Sequence, residues 1–284
     1  MTKNTNYLTN VLITQMQTAG SNWLKGWDTG LPYNKVTGAV FSGYNRLLCM
    51  VVNAEENYSS NEYFTYLEAT KLGSIKGQKA TQLLRPVIKK AKDENGDEVG
   101  TGKYFKPHNY FNADQIEGYS PQIKPVLKLD RETHADAEAF LLNCGLDIRY
   151  GGDRAFYSLS EHYIQSPNIA DYKSSADYFC TMFHEHIHST IEAMKRNTDR
   201  KCIKAVSYEE LVAEIGACFL ANHFGIETTP RAEHAQYLNS WIKALGNDTK
   251  YIQAAAADAQ KAMDYLIKTS TTNASAKLGQ PIAA

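Results

Sequence analysis

Cysteine is sparse and shows no pairing pattern. The 284-residue chain has five, Cys49, Cys144, Cys180, Cys202 and Cys218, and no C-x-x-C pair. That spacing offers neither a disulfide framework nor a thiolate zinc site, and it fits a reducing compartment. Long apolar runs are also missing: none approaches the roughly 18 residues of a membrane span. The opening residues, Met1 to Asn6, lack the apolar core of a signal peptide. The expected location is the cytoplasm, with no membrane partner. Net charge is nearly absent at −1. The balance is uneven, however. Residues 1–125 hold 14 Lys and Arg against 11 Asp and Glu, whereas residues 126–284 hold 16 against 20.

What is present is concentrated in one short stretch, His184-Glu185-His186-Ile187-His188. It reads H-E-x-x-H. On a helix this spacing stacks His184 and His188 one turn apart on one face, where both can hold a zinc ion. Glu185 then stands beside the open position, as a general base for a water. The surroundings read as a helix. Ser174 and Ser175 followed by Asp177 form an N-cap signal. Phe179, Phe183, Ile187 and Ile191 repeat every four residues as one apolar stripe. His186 lies about 200° round the helix from His184 and is expected to be solvated or to support the site from behind.

Two histidines and a water leave the metal incomplete, so a third ligand is required. The segment Ser207 to Ala217 is a second helix carrying Glu209, Glu210 and Glu214. Ser207 and Glu210 have the form of a capping box, which gives Glu210 another task. Glu214 is therefore the first choice for the ligand and Glu210 the second. Two histidines and a glutamate suit zinc, and manganese or cobalt as well. Tyr208 is a candidate donor to the oxyanion of a tetrahedral intermediate.

The front half has a different character. Lys71, Lys76, Lys79, Arg85, Lys89, Lys90 and Lys92 lie between Ala69 and Asp93 with no acid among them. Such a run can neutralise phosphates, or it can be a solvated face. Trp23, Trp27, Tyr33, Phe41, Tyr44, Tyr104, Phe105, Tyr110 and Phe111 crowd the same half. Some must be core, but aromatics among cations also stack unpaired bases. Candidate nucleic-acid contacts are Lys71, Lys76, Lys79, Arg85, Tyr44 and Trp27.

The remaining pattern is coarse. A helix is expected from Asn6 to Ala19, another from Glu62 to Leu72, and a strand from Thr81 to Ile88. Pro121 and Pro125 mark a linker before a helix at Arg131–Cys144. Ile148 to Tyr150 and Ala155 to Leu159 read as a hairpin, with a further strand near Tyr163. This small sheet precedes the metal helix, where an edge strand can hold a peptide by β-addition. Helices at Arg231–Leu245 and Lys250–Ile267 close the chain, with a disordered tail expected from about residue 270.

Several stretches together resemble the ArdC antirestriction family of mobile elements. In the front half they are Leu31-Pro32-Tyr33-Asn34, Phe41-Ser42-Gly43-Tyr44-Asn45 and Tyr110 to Gly118. In the back half they are Gly151 to Tyr157, His184 to His188 and Glu209 to Glu214. The resemblance implies an α+β chain of two domains. An N-terminal mixed α/β domain, placed at 1–125, would bind single-stranded DNA. A C-terminal, mainly helical zincin-like metallopeptidase domain with a small sheet would occupy 126–284. His184, His188 and Glu214 would hold the metal, Glu185 would be the base, and a protein or peptide the substrate. The expected role is protection of incoming DNA. The alternatives are a DNA-binding protein with a structural metal domain and a cytoplasmic regulatory zinc peptidase.

Overall fold

The computed structural model describes residues 31–92, 98–121, 134–226 and 249–278. The front of the chain opens with β1 (Tyr33–Asn34) and a tight turn in which Asn34 Oδ1 accepts the Thr37 N–H at 2.7 Å. Helix α1 (Gly43–Glu56) follows, ending at Asn57 in the left-handed region, φ 56°. Its run Leu47-Leu48-Cys49-Met50-Val51-Val52 is apolar all the way round, and every member is buried. A helix of that kind belongs inside a core. Strand β2 (Glu62–Thr65) and helix α2 (Tyr66–Leu72) occupy the stretch read from sequence as one helix. The boundary is set by Thr65 and Glu68, which form a capping box; Glu68 Oε2 accepts the Thr65 N–H at 2.7 Å.

Strands β3 (Thr81–Lys92) and β4 (Glu98–Asn112) pair antiparallel from Thr81 opposite Tyr110 to Lys92 opposite Glu98, with a register shift at Lys89/Lys90. The sheet order is β1-β2-β4-β3. Only the Thr81 end of β3 and the Asn112 end of β4 have the sheet beside them, so the remainder is a two-stranded ribbon. Where the sheet begins, Glu62 is buried and gathers three donors: Lys35 Nζ at 2.6 Å, Tyr119 Oη at 2.9 Å and Tyr33 Oη at 3.1 Å.

The back of the chain contains α3 (Ala135–Asn143), β5 (Asp147–Tyr150), β6 (Phe156–Ser158), β7 (Tyr163–Ser166), α4 (Ser175–Ser189), α5 (Ile203–His223) and α6 (Thr249–Leu278). The hairpin expected of β5 and β6 does not form. β7 lies between them, parallel to β5 and antiparallel to β6. Helix α6 also corrects an expectation, since it runs through Leu278 where a disordered tail was anticipated. Thr269, Thr271, Thr272 and Ser275 return their hydroxyls to carbonyls four residues back, and Asn273 donates to the Asn143 carbonyl at 2.8 Å. No helix among the described residues is long and apolar enough to cross a membrane. The expected helices at Asn6–Ala19 and Arg231–Leu245 lie outside the described residues.

The architecture is α+β, a mixed sheet in front and a helical layer with a small sheet behind. One apolar core nevertheless runs through both, joining Leu47, Met50 and Val51 of α1 to Phe219 of α5 and to Ala255, Ala259 and Met263 of α6. At Gly43, φ +52°, a Cβ would lie 3.7 Å from the Ala256 carbonyl, and its N–H donates to Gln260 Oε1 at 3.2 Å. Arg46 is buried in this seam, its guanidinium 5.1 Å from the Phe219 ring and 3.2 Å from Met263 Sδ.

Candidate metal centre

Helix α4 is fixed at its start by Ser174, whose hydroxyl accepts the Asp177 N–H at 3.1 Å. Phe179, Phe183, Ile187 and Ile191 are all buried, as their four-residue spacing requires. Each contributes about 1.5–3 kcal/mol by leaving water. That burial fixes the rotation of α4 and thereby aims His184 and His188. The distance to α5 is set by Gly216. A Cβ there would lie 2.6 Å from Ile187 Cδ1, so any larger residue must displace Ile187 or push the helices apart.

The two imidazoles meet edge to face, with their Nε2 atoms 3.0 Å apart. Glu210 Oε2 lies 3.5 Å from His184 Nε2 and 3.7 Å from His188 Nε2. Glu214 reaches the other side of His184, its Oε1 3.5 Å from Nδ1. Glu209 does the same for His188, with Oε1 3.1 Å from Nδ1. The structure thus reverses the expected order of the two glutamates. Glu210 converges with the histidines on one point, whereas Glu214 backs an imidazole. The physical reason is the start of α5 at Ile203, with Cys202 as N-cap. Ser207 lies inside the helix, no capping box forms there, and Glu210 is free to face α4.

These donors fit a metal ion. A carboxylate at each Nδ1 favours the proton on that nitrogen and leaves a lone pair on each Nε2. Two lone pairs and a carboxylate oxygen then face one another in a buried space, which repels unless a cation lies between. Their separations match the edges of a tetrahedral site with bonds of about 2.0–2.2 Å. The electrostatics agree. Burial alone would lower His188, but hydrogen bonds to Glu209 and Glu210 outweigh it and push it up to about 10. His184 is raised against burial by Glu210 and Glu214. Burial would raise Glu210, yet the two histidines hold it well below the usual carboxylate range. The pocket favours positive charge, whether protons or a metal ion.

Glu185 is buried beside His184 and acts on both imidazoles through its charge. Of the two expectations for His186, solvated or supporting the site from behind, burial excludes the first. The imidazole is fully buried, with Nδ1 2.6 Å from the Met182 carbonyl, and burial lowers it to about 4. Tyr208, the expected oxyanion donor, donates a hydrogen bond to Asp258 Oδ2 on α6 at 2.8 Å. Sequence reasoning assigned no role to Glu209 or to Arg196, which donates to both Glu209 oxygens. The adjacent acids Glu209 and Glu210 carried a usable signal. Neighbours on a helix are 100° apart and can serve two different atoms.

The expected DNA contacts are dispersed. Lys71 lies in the last turn of α2, Lys76 and Lys79 in the connection after it, and Arg85 on β3, all exposed. Tyr44 is buried in the main core and presents no ring for stacking, a correction that follows from the packing of α1. Trp27 lies outside the described residues. The ribbon supplies aromatics that the selection passed over. Tyr104 and Phe105 are 44% and 61% exposed. Register places Arg85 opposite Lys106 and Val87 opposite Tyr104, so Arg85, Lys89, Lys106 and Tyr104 share one face.

Comparison with known proteins covers both halves. Residues 2–128 match the model of the N-terminal domain of anti-restriction factor ArdC, and residues 135–258 match a zincin-like metallopeptidase model. The DNA primase TraC of Escherichia coli is 31% identical over 90% of this chain, which spans about a quarter (26%) of that protein's length. The uncharacterized protein y4eC of Sinorhizobium fredii is 26% identical, over 91% of this chain and 90% of its own. Among solved structures, the metal-free antirestriction ArdC protein from the R388 plasmid superposes with a TM-score of 0.76 at 32% identity, covering 95% of this chain and 99% of that one. Its Mn(II)-bound form gives 0.74 at the same 32% identity, covering 95% and 98%. The chain belongs to the ArdC antirestriction family, pairing an ArdC N-terminal domain with a zincin-like metallopeptidase domain.

Proposed function

We propose that the protein binds single-stranded DNA through its front half and hydrolyses peptide bonds at the α4–α5 centre, and that both serve to protect incoming mobile-element DNA. The observation that carries the catalytic half is the convergence of His184, His188 and Glu210 beside a buried Glu185. A divalent ion held by those three, zinc or manganese, would acidify a water and polarise a carbonyl. Glu185 then accepts the water proton and returns it to the leaving amine. A purely structural metal gains nothing from Glu185. The DNA half is supported by the ribbon, where Lys89 Nζ lies 5.9 Å from the Tyr104 ring and Arg85 and Lys106 flank it. Cations there meet phosphates and exposed rings meet bases.

Binding of a fluorescent oligonucleotide to the full chain across a salt series, with a duplex control, tests the first part. Strand-selective, salt-sensitive binding is expected, and replacing Arg85, Lys89 or Lys106 by Gln lowers the salt slope by about 0.7 each. Equal binding of duplex, or none at low salt, removes the DNA reading. Glu185→Gln should retain the metal and lose hydrolysis of an unfolded protein substrate; wild-type cleavage by that variant sinks the base assignment.

A further inference from the structure

We infer that Arg196 is a positioning residue of the metal centre, acting on His188 through Glu209. The inference rests on His184, His188 and Glu210 being a metal site. Arg196 lies in the segment between α4 and α5, yet it is buried, with 9% exposure. Its guanidinium grips Glu209 as a fork, Nε to Oε2 at 2.7 Å and Nη2 to Oε1 at 2.9 Å. The same Oε1 faces His188 Nδ1 at 3.1 Å. The remaining contacts anchor the fork to α4: Nη2 donates to the Ile187 carbonyl and Nη1 to Thr190 Oγ1, both at 2.9 Å.

The chemistry of this chain of contacts is specific. A buried carboxylate facing only an imidazole could rotate, and that change would release Nδ1. Two parallel N–H bonds fix the plane of the Glu209 carboxylate. His188 Nδ1 is thereby held against Glu209, and its Nε2 is turned toward His184 and Glu210. Arg196 ties the end of the helix that carries the histidines to the helix that carries the third ligand. A lysine cannot replace it, because an ammonium is a point charge and offers no planar fork.

A role confined to closing the end of α4 would leave metal affinity untouched and would not depend on Glu209. The test is a double-mutant cycle on the full chain, with Co(II) alone as probe. Affinity is read by competition with a chelator, and geometry by the visible Co(II) spectrum. Arg196→Gln and Glu209→Gln are each expected to weaken binding roughly 10–100-fold and to alter the spectrum. The double variant should lose little more than either single one, because the two residues act in series. Arg196→Lys should remain impaired. Wild-type affinity in Arg196→Gln, or losses that multiply in the double variant, overturns the inference. Should Arg196→Gln fail to fold without metal, the near-isosteric Glu209→Gln carries the test, and its wild-type affinity overturns the inference equally. Absence of Co(II), Zn(II) and Mn(II) binding by the wild-type chain removes the metal reading itself, and the inference with it.

Discussion

At the scale of single residues, the metal centre turns on which glutamate faces the two Nε2 atoms. Glu210 lies within 3.7 Å of both, while Glu214 stands 3.5 Å from the far nitrogen of His184. Glu210→Gln is therefore expected to weaken metal binding more than Glu214→Gln, whose loss should stay within about 10–100-fold. Calorimetric titration of both variants checks the order; a greater loss in Glu214→Gln would restore Glu214 as the ligand. Glu62 supplies a second residue-scale expectation. Burial would raise its pKa, but Lys35, Tyr119 and Tyr33 outweigh burial and lower it. A carboxyl lowered on folding stabilises the fold above its unfolded value, about 4.3, and loses that contribution as pH falls through the folded value. Glu62→Gln should thus be less stable than wild type at pH 7, by about 1–3 kcal/mol. The gap should narrow below about pH 4.3. Thermal melts across pH measure it, and a gap independent of pH would show that Glu62 does not act through its charge. The pairing of His184 and His188 was legible in the sequence because the i, i+4 spacing of H-E-x-x-H places both on one helix face. The glutamate that converges with them was not, because it depended on where α5 begins, and Cys202 at the N-cap carries no capping signal.

At the scale of elements, two helices hold the site at a separation that one glycine permits. Gly216→Ala forces a methyl against Ile187 Cδ1 and Cγ1, 2.6 and 2.7 Å away. Destabilisation of about 1–3 kcal/mol is expected from such overpacking. Ile187→Val deletes Cδ1, so the double variant should lose less than the two single losses together; additive losses would place the strain elsewhere. Periodicity made α4 readable, since its apolar stripe and Ser174 cap agree. Helix α1 was passed over because Leu47 to Val52 is apolar on every side and shows no 3.6-residue rhythm. The order β5-β7-β6 was equally hidden. Short strands advertise their existence locally, but their partners are chosen by the helices packed on the sheet.

At the scale of the whole molecule, the shared core matters more than the boundary between halves. Helix α1 belongs by sequence to the front, yet it buries Leu47, Met50 and Val51 in the core that contains α5 and α6. Residues 1–125 expressed alone should expose that face, bind a hydrophobic dye and melt without a cooperative transition. The full chain should unfold in a single calorimetric transition. Two well-separated transitions, or a fragment as cooperative as the whole, would show that the halves fold independently. The composition shift and Pro121–Pro125 were visible in the sequence. The α1–α6 contact joins residues more than two hundred positions apart, and nothing local announces it.

The Arg46–Phe219–Met263 seam therefore has a genetic consequence. Halves exchanged between diverged relatives would bring together an α1 and an α6 that have not co-adapted, with a buried cation deprived of its ring and sulfur. Chimeras joined near residue 125 should fail to accumulate unless the facing surfaces of both helices are transplanted together. Recombination within the family would then move the two halves as one cassette, and the similarity to TraC, which extends over 90% of this chain, has that form.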